Sequence, residues 1–134
     1  MPLIVVLDAN ILTVPGQFGV DIFAESKRIL EKRIEFVVLD SVVRELERKL
    51  EISGRIESRI FRIALDLIDS NDVTVVEGQS KEMPVDEQIL QFAQTSQGVL
   101  ATNDRGLREQ ALSQGIPILF LRGKKQLQLM GTIL

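Results

Sequence analysis

The stretch LIVVLDAN, residues 3–10, sets the class of fold, because a run of apolar residues ends abruptly in polar ones. Residues 3–7 are too short and too uniformly apolar for an amphipathic helix or for a strand with one solvated face. They therefore predict a strand buried on both faces of a sheet. Asp8 and Asn10 follow where this strand ends, and nothing local requires a charge there.

Four further apolar runs resemble the first one, and helical patterns separate them. The predicted strands span residues 3–7, 36–39, 73–76, 98–102 and 117–121. Helical spacing of apolar residues covers residues 21–33, 41–52, 55–70, 86–96 and 106–113. Alternation of strand and helix predicts a parallel sheet with right-handed crossovers. We expect a single doubly wound α/β domain over residues 1–134, with a parallel sheet of about five strands flanked by helices.

The composition excludes several classes of chemistry. The 134 residues include no cysteine and no histidine. Disulfides, zinc-thiolate sites, thiol nucleophiles and Ser-His-Asp triads are therefore excluded. No GxxxxGK[ST] motif is present, so a P-loop nucleotide site has no support. Any chemistry has to use carboxylates, lysine, hydroxyls or a bound metal.

The apolar segments predict the location of the protein. The first apolar run lacks a basic leader, and no apolar stretch approaches the roughly 18 residues that a membrane span needs. We therefore expect a cytoplasmic protein that is not inserted in a membrane.

Acidic residues follow or border several of the predicted strands. Asp8 ends the first strand and Asp104 follows the fourth in ATNDRGL, so both should lie at the carboxyl edge of the sheet. Asp86 begins the helix that leads to the fourth strand, and Glu45 lies early in the helix after the second. Each has an ordinary alternative, namely a helix cap for Asp86, a turn for Asp104 and a surface charge for Glu45.

Together these four acids favour a divalent metal site. Two unit charges about 5 Å apart repel by roughly 3 kcal/mol at an effective dielectric of 20, and no lysine stands beside a strand end to offset that. Mg²⁺ or Mn²⁺ prefers oxygen ligands and leaves coordination positions open for phosphate. The implied chemistry is attack of water on a phosphodiester, with Asp8, Asp86 and Asp104 binding metal and Glu45 binding it or orienting the water.

Several segments resemble the PIN-domain family, in particular an archaeal branch similar to Fcf1-type ribosomal-RNA processing nucleases. The segments are VVLDANIL (5–12), PGQFGVDIF (15–23), SVVRELERKL (41–50), PVDEQILQFA (84–93) and the run from GVLATNDRGL to FLRGKKQLQL (98–129). The resemblance implies a Mg²⁺- or Mn²⁺-dependent ribonuclease that uses Asp8, Glu45, Asp86 and Asp104. It also implies supporting roles for Asn10, Thr102 and Asn103, whereas Glu87, where related sequences often have Asp, is interpreted as peripheral.

The charge of the chain is compatible with an RNA partner. The formal net charge is −3, but setting aside four of the 19 acids leaves 15 acids against 16 bases. Residues 110–134 contain three bases and no acid. Arg122, Lys124 and Lys125 are therefore candidate phosphate contacts, with an ordinary solvated segment as the alternative.

Other functions remain open at this stage. One is a non-catalytic RNA-binding or ribosome-assembly factor, and another is the toxin ribonuclease of a toxin-antitoxin pair. A phosphatase loop of the haloacid dehalogenase type fits poorly, because Asn10 stands where that loop needs a second Asp. A homodimer is expected from the family, from the helical hairpin that residues 41–52 and 55–70 should form, and from apolar residues near the C-terminus. Those residues are Leu127, Leu129, Met130, Ile133 and Leu134. A protein partner is a further expectation.

Overall fold

The structure is a computed structural model that describes residues 1–78 and 82–133. Its strands are β1 (Leu3–Leu7), β2 (Ile34–Leu39), β3 (Thr74–Val76), β4 (Val99–Ala101), β5 (Ile118–Arg122) and β6 (Gln126–Met130). Its helices are α1 (Ala9–Leu12), α2 (Val14–Phe18), α3 (Ile22–Leu30), α4 (Asp40–Ile52), α5 (Arg55–Ser70), α6 (Val85–Thr95) and α7 (Arg105–Ser113).

The strands form one sheet in the order β3-β2-β1-β4-β5-β6. All neighbours are parallel except β5 and β6, which are antiparallel. The central strands β1 and β4 are buried from Val5 to Leu7 and from Val99 to Ala101, as a sheet covered on both faces requires. The predicted α/β class is confirmed. Because β1, β4 and β5 run in the same direction, their carboxyl ends share one edge of the sheet.

The five parallel strands are present as predicted, and a sixth, antiparallel strand, β6, was not predicted. A tight turn at Arg122–Lys125 reverses the chain after β5, with Gly123 and Lys124 at φ values of 64° and 57°. Arg122 pairs with Gln126, so the hairpin has a three-residue loop, a common connection between antiparallel strands. In β6, Leu127 then points into the core and is buried.

Two short helices after β1 were also not predicted. Helix α1 begins directly after Asp8, and α2 contains Pro15 in its first turn, where proline is well tolerated. Helix α2 ends at Gly19, whose φ of 68° is in the left-handed region that glycine adopts without strain. Phe18, the last residue of α2, lies beside Lys124 of the turn between β5 and β6.

The predicted helical hairpin is present as α4 and α5. Helix α5 packs against α4 and also against α2. The second contact is close because Gly16 has no side chain: a Cβ there would lie 3.2 Å from the Ile60 Cα. At the tip of the hairpin, Ile52 and Ile56 are 70% and 82% exposed.

The apolar C-terminal residues pack mostly within the chain itself. Leu127 is only 2% exposed, and Leu129 and Ile133 pack partly against the core. Met130 remains 41% exposed, and Leu134 lies outside the described residues. Most of the C-terminal surface expected to contact a second copy is therefore already buried, whereas the tip of the hairpin is exposed. Among the described residues, no helix is both long enough and apolar enough to cross a membrane.

Candidate active site

Asp8 is a buried carboxylate held at the end of β1. Its backbone N–H donates to the Ala101 carbonyl at 3.1 Å, which ties the ends of β1 and β4 together. The residue is 7% exposed. Its Oδ1 accepts from the Ala9 N–H at 2.7 Å, and its Oδ2 accepts from Asn10 Nδ2 at 2.9 Å and Thr102 Oγ1 at 2.8 Å. Three donors therefore fix the carboxylate in one orientation.

Asn10, Thr102 and Asn103 link Asp8 to the neighbouring strand ends. Asn10 Oδ1 accepts from the Asn103 N–H at 2.8 Å, and Thr102 Oγ1 accepts from the Asp104 N–H at 3.1 Å. Asn103 Oδ1 accepts from the Leu121 N–H of β5 at 2.7 Å. The three residues suggested as supporting groups thus form one hydrogen-bonded network across β1, β4 and β5.

Asp104 is exposed and caps helix α7. Its Oδ1 accepts from the Leu107 N–H at 2.9 Å, so it has the structural role that turn chemistry suggested. Within residues 1–78 and 82–133, its second oxygen accepts no hydrogen bond. Capping α7 therefore leaves one carboxylate oxygen available for another ligand.

Asp86 is not a helix cap, so the alternative explanation for this residue is wrong. Pro84 is the N-cap of α6, and Asp86 lies within the first turn. Across the described part of the chain, its carboxylate accepts no hydrogen bond. Glu87 is likewise exposed in this turn.

Glu45 lies in the second turn of α4 with its side chain 37% exposed. Its Oε1 is 3.7 Å from the Lys49 Nζ, one turn along the helix. A lysine therefore does approach one of the four acids, although it comes from the helix and not from a strand end. An exposed pair at this spacing contributes only about 0.3–0.5 kcal/mol, so it offsets little of the negative charge.

The pKa values of Asp8 and Asp86 are affected by the charges of neighbouring acids. Burial raises the pKa of Asp8 from its ordinary value of 3.8; the Thr102 and Ala9 hydrogen bonds oppose this, and the charges of Asp86 and Glu45 add to it. The pKa of Asp86 is also raised, first by partial burial and then by the charges of Asp104 and Glu45. Asp86 thus lies close enough to Asp8, Glu45 and Asp104 for their charges to interact.

The acids do not form a closed coordination shell in this arrangement. Within the ranges that the structure describes, no three acidic side chains are disposed as a formed metal site. Three of the four already have partners, since three donors hold Asp8, Asp104 caps α7 and Glu45 approaches Lys49. Their chemistry nevertheless fits Mg²⁺ or Mn²⁺, because every candidate ligand is a hard carboxylate oxygen and the charges repel one another.

The three predicted basic residues lie in the turn between β5 and β6, at the same edge of the sheet. Arg122 Nη1 donates to Gln128 Oε1 at 2.8 Å, and Lys125 is exposed. The Lys124 Nζ lies 5.6 Å from the centroid of the Phe18 ring. Phe18 was not singled out in the sequence, where a lone aromatic residue in a short unpredicted helix gives no periodic signal.

Comparisons with known proteins give one family match and two relatives that cover most of the chain. A family model described as a PIN-like domain matches residues 5–124. Ribonuclease VapC4 of Methanocaldococcus jannaschii is 28% identical over 130 residues, covering 96% of this chain and 98% of the relative. Ribonuclease VapC9 of Archaeoglobus fulgidus is 30% identical over 122 residues, covering 90% of this chain and 84% of the relative.

Solved structures have the same architecture. The structure of the PIN domain endonuclease Utp24 matches with a TM-score of 0.79 and 26% identity, covering 98% of this chain and 94% of that one. A domain of a functionally unknown protein from Methanocaldococcus jannaschii matches with a TM-score of 0.61 and 20% identity, covering 90% and 92%. At 20% identity, the second match supports only the similarity of the fold.

Proposed function

The chain belongs to the PIN-like domain family, and on that basis we propose that it is a metal-dependent endoribonuclease that hydrolyses RNA phosphodiester bonds. The observation that carries the proposal is the buried Asp8 carboxylate, fixed by Asn10 and Thr102 and repelled by acids from other elements. The relatives named as ribonucleases and the PIN domain endonuclease Utp24 support the same activity.

In this proposal Asp8, Asp86 and Asp104 hold Mg²⁺ or Mn²⁺, and Glu45 holds it or orients the attacking water. A divalent cation at this edge would lower the pKa of the water and offset negative charge on the phosphate oxygens. Asp8 supplies a rigid ligand because three donors fix it. Asp86 and Asp104 are exposed, so their side chains can turn toward the cation without disturbing the core.

Asn10, Thr102 and Asn103 act as positioning residues. Their hydrogen bonds set the orientation of Asp8 and the backbone of the segment that carries Asp104. A 1 Å error in such a site is costly, because catalysis depends on holding reacting groups within a narrow range of geometry. Arg122, Lys124 and Lys125 offer phosphate contacts beside the acids.

The proposal is tested by incubating the purified protein with labelled RNA and Mn²⁺. We expect cleavage that Asp8→Asn abolishes and that excess EDTA stops. Asp66→Asn is the matched control, because Asp66 is an exposed acid on α5 outside the candidate site. Cleavage that persists unchanged in Asp8→Asn or in EDTA would overturn the assignment. RNA binding without turnover in any metal would favour the non-catalytic alternative.

The biological role is a separate part of the proposal. Ribosomal-RNA processing follows from the resemblance to the Fcf1-type branch, and a toxin ribonuclease is the alternative; growth arrest on expression, abolished by Asp8→Asn, would favour the toxin. We also propose a cytoplasmic homodimer, with a further protein partner left open. The exposed Ile52 and Ile56 are the apolar residues that a second copy would cover, and sedimentation of wild type and Ile56→Lys tests this.

A further inference from the structure

A second surface at the carboxyl edge combines an exposed aromatic ring with two lysines. Phe18 is 40% exposed at the end of α2. It lines an open cleft of about 400 Å³, together with Lys124 and Lys125 from the β5–β6 turn. The Lys124 ammonium lies over the Phe18 ring, 5.6 Å from its centroid.

The backbone holds both sides of this cleft in a defined position. Helix α2 ends at Phe18 because Gly19 takes the left-handed conformation, and the next residue, Val20, is buried. The ring is therefore anchored next to the core while it faces solvent. On the other side, the three-residue loop of the hairpin holds Lys124 at a φ of 57°, with a 3.4 Å hydrogen bond from the Lys125 N–H to the Arg122 carbonyl.

The acids that also line the cleft are already engaged in other interactions. Asp21 caps α3 by accepting two backbone N–H groups. Glu25 pairs with Arg28 at 2.8 Å. Across residues 1–78 and 82–133, neither Lys124 nor Lys125 forms an ion pair. Both ammonium groups are therefore available for an anionic ligand.

Hydrogen bonds link the turn that carries Lys124 and Lys125 to the acidic site. Asn103, which hydrogen-bonds to Asn10 beside Asp8, also accepts from the Leu121 N–H, one residue before the turn begins at Arg122. The opposite wall carries Phe18 at the end of α2. In the chain, α1 and α2 follow Asp8, and their summed helical length is roughly 14 Å. Both walls of the cleft are thus carried by elements that adjoin those holding Asp8.

We propose that this cleft is a binding subsite for single-stranded RNA next to the acidic site. One nucleobase stacks on Phe18, and Lys124 and Lys125 contact the adjoining phosphates. Stacking on an aromatic ring tolerates any base, and lysines follow the backbone charge, so the subsite gives affinity without sequence readout. The contact between Lys124 and the ring is weak at an exposed site, so a base can displace the ammonium. The inference rests on the proposed function, which makes RNA the substrate.

Binding of a fluorescent oligouridine to the full chain in EDTA tests the proposal without any cleavage. We expect Phe18→Leu to weaken binding roughly tenfold, whereas Phe18→Trp retains it. Lys124→Gln should weaken binding and reduce the slope of log affinity against log salt by about 0.7, the value for one lost phosphate contact on a single strand. Lys32→Gln is the matched control, because Lys32 is an exposed lysine before β2, at the opposite edge of the sheet.

The outcomes separate this inference from the proposed nuclease activity. If wild type binds RNA in EDTA and never cleaves it with Mn²⁺, the nuclease assignment fails and the subsite stands. If Phe18→Leu and Lys124→Gln bind as wild type does, with an unchanged salt slope and melting temperature, the subsite is refuted. A change in sedimentation of these variants with unchanged RNA affinity would also refute it, since the face would then contact protein.

Discussion

Replacing Thr102 by valine removes the hydroxyl that joins Asp8 to Asp104 while keeping the shape of the side chain. Thr102 is fully buried, its Oγ1 donates to Asp8 Oδ2 at 2.8 Å, and it accepts from the Asp104 N–H at 3.1 Å. A hydrogen bond to a charged group contributes about 1.5–3 kcal/mol. The part-buried Asp104 N–H loses its acceptor at the same time, which adds to the loss of stability. We therefore expect Thr102→Val to lower the free energy of unfolding by about 2–3 kcal/mol at neutral pH.

The loss of unfolding free energy in Thr102→Val should be larger at neutral pH than in acid. The pKa of Asp8 is already raised above 3.8 by burial, and the Thr102 hydrogen bond opposes that rise. The variant should raise this pKa further, so the ionised form of Asp8 opposes folding more strongly. The difference in stability is then largest at neutral pH and shrinks as the pH falls through the raised pKa values of the two proteins, where Asp8 is protonated in both.

Urea unfolding in EDTA, from about pH 7 down to about pH 4, measures this difference. Thr102→Ser is the control, because it keeps the hydroxyl and removes one buried methyl group, at a cost of about 1 kcal/mol that does not depend on pH. Equal losses for the two variants at every pH would show that the Thr102 hydroxyl does not stabilise the Asp8 carboxylate.

Three further predictions follow from the same site. Asn103→Ala removes the acceptor for a β5 backbone N–H and should lower the free energy of unfolding by about 1–2 kcal/mol, measured by urea unfolding; no loss would contradict the network. Mn²⁺ at a hundred times its dissociation constant should add about 2.7 kcal/mol of stability at neutral pH, seen as a higher melting temperature. This gain in stability should fall as the pH is lowered, because Asp8 and Asp86 have raised pKa values and are protonated at a higher pH than ordinary aspartates. An equal gain in Asp8→Asn would contradict binding of Mn²⁺ by Asp8. Glu45→Gln should reduce RNA cleavage at least tenfold, whereas Glu47→Gln, an exposed acid on the same helix, should not; equal effects would remove Glu45 from the site.

The buried parts of the fold could be predicted because a single physical pattern determines them. Short apolar runs located all five parallel strands, with shifts of at most two residues at their ends. The helical hairpin was equally clear from its apolar spacing and from Ser53-Gly54 between the helices. In contrast, α1 and α2 have only four and five residues, too few for a helical period to show.

Strand β6 carried a signal that was not used. Gln126–Met130 alternates polar and apolar residues, which is the pattern of a half-buried strand, and RGKK before it suits a tight turn. The hairpin was not predicted, because the basic residues were interpreted as phosphate contacts and the leucines as a contact with a second copy. The structure uses Leu127 to close the chain's own core.

The candidate site was predictable as far as backbone topology determines it. The direction of the strands alone predicted that Asp8 and Asp104 lie at the carboxyl edge of the sheet. Glu45 and Asp86 were expected near the same edge because each lies close to the start of its helix. The hydrogen-bond partners of the side chains could not be predicted in this way, because they depend on rotamers and on contacts between residues distant in sequence. The Thr102 bond to Asp8 joins residues 94 positions apart. The pairing of Glu45 with Lys49 required only the spacing along one helix, and it could have been predicted.

Diffraction from crystals soaked in Mn²⁺ tests the shared cation site most directly. We predict anomalous density for at least one ion at the carboxyl edge of the sheet, contacting three or more of Asp8, Glu45, Asp86 and Asp104. Metal-oxygen distances should be near 2 Å, with the exposed carboxylates rotated inward. The density should disappear in Asp8→Asn. An ion bound elsewhere, or the same density in Asp8→Asn, would contradict the account.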